Sequence, residues 1–151
     1  EAMSICDKVA VMNKGKIHQI DTPINLLNNP KTLFVSSFIL GNNIINIKKT
    51  DNLFISCLGE IKGSGLLNTD IKKMSISPKF ISIKKSKSGN GNVISKEFRG
   101  DFLIYKVSIN DNILRVRTNI NNVLNNGDKC SLSITKNSYY FLYPGAHKVY
   151  L

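Results

Sequence analysis

The sequence predicts a mainly β protein, a small barrel or sandwich preceded by a β-hairpin and short helices. Three observations carry this. The hydrophobic period changes from about 3.6 residues to about 2 after Gly41. Downstream, short apolar runs are punctuated by turn signals such as Asn110-Asp111 and Asn126-Gly127-Asp128. One run, Leu103, Tyr105, Val107 and Ile109, alternates against Lys106 and Ser108 so regularly that it names its buried face.

Ala2, Met3, Ile5 and Cys6 read as the last turns of a helix that begins upstream of Glu1. Val9-Ala10-Val11-Met12 is a short apolar strand, Asn13-Lys14-Gly15-Lys16 a turn, and Ile17-His18-Gln19-Ile20 a second strand, which together make a hairpin. Thr22 then caps a short helix with Pro23 at its first position, where a missing N–H costs nothing. Asn28-Asn29-Pro30 stops it. A second helix is expected over 31–40, with Leu33, Phe34 and Phe38 at helical spacing, Val35 as a further candidate there, and Gly41 with Asn42 at its end. The change of period there divides the chain into 1–41 and 42–151. Strands are expected at 43–48, 53–58, 73–76, 80–84, 92–98, 102–109, 112–118, 130–135 and 139–143, with 103–109 as the central one. Many short strands with frequent turns suit a barrel or sandwich.

The 151 residues are 42% hydrophobic and 21% charged, an ordinary globular balance that excludes a disordered chain. No apolar run approaches the ~20 residues of a bilayer helix. Three widely spaced cysteines, Cys6, Cys57 and Cys130, lack CxxC spacing and read as reduced thiols in a packed interior. A net charge of +11 raises the question of nucleic acid or an anionic membrane. The lysines are dispersed, the one dense run is Lys84-Lys85-Ser86-Lys87, and asparagine is abundant in pairs such as Asn42-Asn43, so the basic excess reads first as compositional drift.

Catalytic signatures are missing. A phosphate-cradling loop needs glycines leading into Lys-Ser/Thr before a helix; Gly63-Ser64-Gly65 lies between β segments and lacks that spacing. His18 falls on a hairpin strand and His147 in a tail loop, too far apart to pair as metal ligands. Acidic residues are scattered, which disfavours a two-carboxylate site. The sequence therefore assigns no catalytic, cofactor-binding or metal-binding residue. Tyr139, Tyr140, Phe141 and Tyr143 form an aromatic cluster. It reads as a terminal strand closing the barrel with alternate rings in the core, and alternatively as a base-stacking surface of a small basic nucleic-acid-binding barrel.

Read as a string, Glu1-Ala2-Met3, Asp7 to Ile17, Gln19-Ile20-Asp21-Thr22-Pro23, Asn29-Pro30 and Phe34 to Ile39 resemble the end of the ATP-binding subunit of bacterial ABC importers, in the branch serving ferric iron, polyamines, sulfate or maltose. The resemblance implies that Glu1 follows the switch histidine and that the ATP- and Mg-binding motifs lie upstream, so this stretch alone is not an enzyme and needs no cofactor. Residues 42–151 then resemble the transport-associated (TOBE) domain, an OB-like regulatory barrel. Ser77-Pro78-Lys79 stands where relatives often show Arg-Pro-Glu, with both charges replaced. Val93 to Val107, with Arg99-Gly100 at its bend, resembles the strand-glycine-strand unit of that domain. Arg99, Gly100, Tyr139 and Tyr143 are the candidate structural or interface residues. The implied partners are a second copy of the subunit, transmembrane permease subunits and a periplasmic binding protein, at the cytoplasmic face of the membrane. The short spacer and compact tail lean toward ferric iron; polyamine, sulfate and sugar stay open.

Overall fold

The first forty residues form the expected hairpin and short helices, and they have a small core of their own where a single main core was expected. In the computed structural model, which describes residues 1–151 apart from the side chain of Ser64, a single helical turn α1 (Ala2–Ile5) leads into a hairpin of β1 (Val9–Asn13) and β2 (Lys16–Asp21). Lys14 and Gly15 turn it with φ of 49° and 75°, a left-handed pair that matches the twist of the strands. Helices α2 (Pro23–Asn28) and α3 (Leu33–Leu40) follow. The Thr22 hydroxyl accepts the Asn25 N–H at 3.3 Å, and the Thr32 hydroxyl accepts the Val35 N–H at 3.2 Å. Because Thr32 is the cap, α3 starts at Leu33 and not at Lys31. Gly41, at φ 67°, reverses the chain and donates its N–H to the Ser37 carbonyl. Val11, Leu26 and Val35 form the buried cluster of this segment.

One expectation for α3 fails. Phe38, counted in its apolar spacing, is 69% exposed, whereas Val35 and Ser36 are fully buried. Helical spacing located the apolar residues but could not reveal that the surface facing α3 carries a hydroxyl.

The remainder is β. Strands β3 (Asn43–Asn46), β4 (Lys48–Lys49), β5 (Phe54–Ser56), β6 (Gly59–Ile61), β7 (Lys73–Ile76) and β8 (Ile81–Lys85) precede the long hairpins. Then come β9 (Gly91–Phe98), β10 (Phe102–Ile109), β11 (Asn112–Asn119), β12 (Lys129–Ile134), β13 (Tyr139–Tyr143) and β14 (His147–Tyr150). A five-stranded sheet runs β11-β10-β9-β12-β8 and a four-stranded one β14-β13-β7-β3; β4, β5 and β6 form a small third sheet. The fold is thus the OB-like barrel or sandwich preceded by a hairpin and short helices.

Several boundaries differ from expectation. The strand expected at 43–48 is two strands: β3 pairs with β7 and β4 with β5, and the Ile47 N–H between them donates to the Lys72 carbonyl at 2.9 Å. Two strands were not anticipated. Glycine opens β6, and β14 lies beyond Pro144-Gly145, so neither shows a run of alternation long enough to read. His147 therefore sits on a strand and not in a tail loop. Strand β10 is interior, between β11 and β9, but β9 holds the middle of the sheet.

Alternation places Leu103, Tyr105, Val107 and Ile109 in the main core with Leu114, Val116, Met74 and Leu142. The buried Tyr105 hydroxyl is satisfied in both directions, accepting the Leu124 N–H at 2.8 Å and donating to the Asn122 carbonyl at 2.9 Å.

Candidate docking seam and basic cleft

The two central strands of the four-stranded sheet, β7 and β13, are buried on both faces. Strand pairing aligns Leu142 with Met74 and Ile45, all in the barrel core. Their neighbours along the same strands point to the other side, yet Phe141, Tyr143 and Ser75 are only 1%, 4% and 0% exposed. The leading segment covers them. The Tyr143 hydroxyl donates to the Pro30 carbonyl at 2.6 Å. The hydroxyls of Ser36 on α3 and Ser75 on β7 bond each other, and the Asn42 amide donates to Ser75 at 3.0 Å. Burial pushes the hydroxyl pKa values of Tyr143 and Tyr140 up to about 12, so both stay protonated donors.

This corrects the reading of the aromatic cluster. Strand β13 is not terminal, since β14 pairs beyond it, and its rings do not alternate between core and solvent. Tyr140, Phe141 and Tyr143 are buried and cannot stack bases: Tyr140 faces the barrel core, and Tyr143 is capped by the loop between α2 and α3. Tyr139 alone is partly exposed. Its ring lies 5.0 Å from Phe80 and 5.8 Å from Phe141, with the Lys148 ammonium 4.3 Å above it.

Three buried polar residues at this seam had no sequence signal. Gln19 bridges β2 to the loop after α2, donating to the Asn29 carbonyl at 3.0 Å and accepting the Lys31 N–H at 2.9 Å. Asn43 clamps both backbone groups of Arg115 across 72 residues, at 2.8 Å and 2.9 Å. Ser75 is the third. In the pair Asn42-Asn43, read as compositional drift, Asn42 bonds both Ser36 of the leading segment and Ser75 of the barrel, and Asn43 ties β3 to β11.

Arg99 and Gly100 sit where β9 turns into β10. Gly100 takes φ 86° in open space, so it serves the turn's backbone and not a close approach. Arg99 pairs with Glu97 at 2.8 Å with both side chains about half exposed, a contact of little energetic weight. It also lines a cleft of about 220 Å³ beside Leu40-Gly41 and Ser77-Pro78-Lys79, into which Arg115 and Arg117 project from β11. Dispersal of charge along the sequence had hidden this convergence of arginines.

The other candidates have structural surroundings. His18 Nδ1 lies 3.0 Å from the Thr32 hydroxyl, with its ring 4.9 Å from Phe34. Burial raises the pKa of the Cys57 and Cys130 thiols, which keeps them in the unreactive protonated form. Among the described residues no group of three His, Cys, Asp or Glu side chains could hold a metal, and no helix is long and apolar enough to cross a membrane.

Similarity to known proteins decides among the readings that this fold permits. The chain is 38% identical over 110 residues to the spermidine/putrescine import ATP-binding protein PotA of Mesoplasma florum, covering 66% of this chain and 31% of that protein. It is 33% identical over 119 residues to PotA of Clostridium acetobutylicum, covering 72% of this chain and 32% of the relative. The chain belongs to the ATP-binding subunits of ABC importers, as their C-terminal, TOBE-like part. A 45-residue stretch is 60% identical to PotA of Bacillus thuringiensis strain Al Hakam, 30% of this chain and 14% of that protein. The importer tail thus spans about a third or less of the curated relatives it matches. No family model matches it. These relatives are named for spermidine and putrescine and not for ferric iron, so the spacer and compact tail do not carry the iron assignment. Nothing in the fold or the relatives favours the nucleic-acid alternative.

Proposed function

We propose that this importer tail is the regulatory and dimerisation region of an ATP-binding subunit that energises polyamine uptake. The observation that carries the reading is the similarity, over 66% and 72% of the chain, to two proteins named for spermidine/putrescine import. Residues 1–41 are the end of the nucleotide-binding domain and 42–151 the regulatory barrel. The chain holds no phosphate-cradling loop, so ATP and Mg would be held by the rest of the subunit. The seam makes the tail mechanically continuous with that body. Movement of α3 is passed to β7 through Ser36, Ser75 and Asn42, and Tyr143 locks the loop before α3 to β13. The turn at Arg99-Gly100, next to the 67%-exposed Phe98, and the partly open ring of Tyr139 are surfaces for a second copy. The subunit would act at the cytoplasmic face of the membrane with permease subunits and an external binding protein.

The test is uptake by a host deprived of its own polyamine importer and supplied with the complete subunit and its permease genes. Radiolabelled spermidine or putrescine should accumulate while ferric iron does not. Iron accumulation without polyamine uptake would overturn the substrate assignment. Sedimentation of the chain as a monomer at every concentration tested would remove the dimerisation role.

A further inference from the structure

The chain has only three arginines, Arg99, Arg115 and Arg117, and all three line one cleft together with Lys79. We infer that this cleft is a binding site for a phosphate-type dianion, seated where the leading segment meets the barrel.

Arg115 and Arg117 are two residues apart on β11, so they share a face, and Lys106 stands directly opposite Arg115 on β10, a like-charge pairing that destabilises a sheet unless something neutralises it. Among the described residues the cleft's one ion pair is Arg99 with Glu97; Arg115, Arg117 and Lys79 have no acidic partner there. The Arg117 side chain and the Arg115 backbone are nevertheless held. The Arg117 guanidinium lies 3.8 Å from the centre of the Phe102 ring, which fixes its plane and leaves its N–H edge free for an acceptor. The Asn43 side chain grips the Arg115 backbone from both sides, which sets where that guanidinium begins its reach. Ile104, 7% exposed, lies between them in the cleft lining. Guanidinium groups gathered around about 220 Å³ match tetrahedral oxyanions, which accept paired N–H bonds, and several cations suit a dianion better than a monoanion. A phosphate group can come free in solution, on a small phosphomonoester or on a lipid headgroup.

The position gives binding a consequence. Leu40 and Gly41 form one wall and Ser77, Pro78 and Lys79 another, so an anion held by β11 would bridge the end of α3 to the barrel and stiffen the seam.

Calorimetric titration of the chain with inorganic phosphate, at fixed chloride and ionic strength, tests the site. Saturable binding is expected, with acetate binding far more weakly. Arg115→Gln should raise Kd by about tenfold or more, the worth of a charge-assisted pair, whereas Lys48→Gln, the same loss of charge elsewhere, should leave it unchanged. Glu97→Gln, which releases Arg99 from its internal partner, should tighten binding. Arg115 and Glu97 are both exposed, and an unchanged circular dichroism spectrum confirms folding. Sedimentation with phosphatidylglycerol vesicles separates the sources: a lipid ligand gives binding that requires Arg115 and is competed by phosphate, and a soluble ligand gives phosphate binding without vesicle binding. Absence of saturable phosphate binding, equal binding of acetate, or equal loss in Lys48→Gln and Arg115→Gln would overturn the assignment.

Discussion

Replacing Tyr143 by Phe removes one oxygen from the seam between leading segment and barrel, and the effect should change sign with pH. At neutral pH the hydroxyl donates to the Pro30 carbonyl at 2.6 Å, and Pro30 is itself buried. Its loss leaves that carbonyl without this donor, so the variant should be less stable by about 1–2 kcal/mol. Above neutrality a second effect enters. Burial raises the Tyr143 pKa from 10.0 to about 12. A group whose folded pKa is raised contributes stability that is complete below its unfolded pKa and is lost as pH rises through the folded one. Between pH 10 and 12 the parent chain should therefore lose about 2 kcal/mol that the variant cannot lose. Tyr140, also raised to about 12, titrates in both chains and cancels in the comparison. The gap that favours the parent at neutral pH should close or reverse near pH 12. Urea denaturation at pH 7, 10, 11 and 12 reads this directly. A stability difference that stays constant across that series would show that the Tyr143 hydroxyl is not confined in the seam, and the docking geometry would be wrong.

Three further outcomes follow from the barrel. A Cβ added at Gly89 would meet the Cys130 carbonyl oxygen at 2.1 Å, so Gly89→Ala should destabilise by about 1–3 kcal/mol, while Gly65→Ala, with open space around it, should be near neutral by thermal melting. Tyr105→Phe deprives the Leu124 N–H and Asn122 carbonyl of their shared partner and should cost about 1–3 kcal/mol in denaturant. Asp128 accepts the Asn125 N–H at 2.8 Å, which holds its carboxyl below 3.8 with help from Lys85. Its contribution is present above that value and lost as pH falls through the folded pKa, so Asp128→Asn should flatten the acid limb of the stability profile.

Much of this architecture was legible because local rules act alone in many places. Thr22-Pro23 and Gly41 mark their helix ends through capping and positive φ, and β7, β10 and β13 fall at their expected bounds. Alternation in β10 named its buried face because one side meets the core and the other does not. The same rule misled at β13, where a second layer covers the outer face, so tyrosines on both sides are buried and no period records which layer each one meets. Ser36 and Ser75 were invisible for a related reason. A buried hydroxyl needs a polar partner, and the one Ser36 finds lies 39 residues away, a pairing that leaves no local trace. The arginine cleft was scattered in sequence across β9 and β11, and only the register of β10 between them gathers it.

The four-stranded sheet is a shared wall, and this bears on where the protein can be divided. A barrel produced from residue 42 onward would keep every one of its strands and still lose the covering of Phe141, Tyr143 and Ser75. The exposed wall would be apolar, carry two tyrosine and phenylalanine rings and a stranded hydroxyl, and invite other molecules to adhere. The smallest well-behaved unit therefore includes the two short helices, although the change of hydrophobic period invites a cut just after them. Proteases and engineers would read that boundary differently: the sequence marks a change of domain at Gly41, and Asn42 beside it is anchored to both sides.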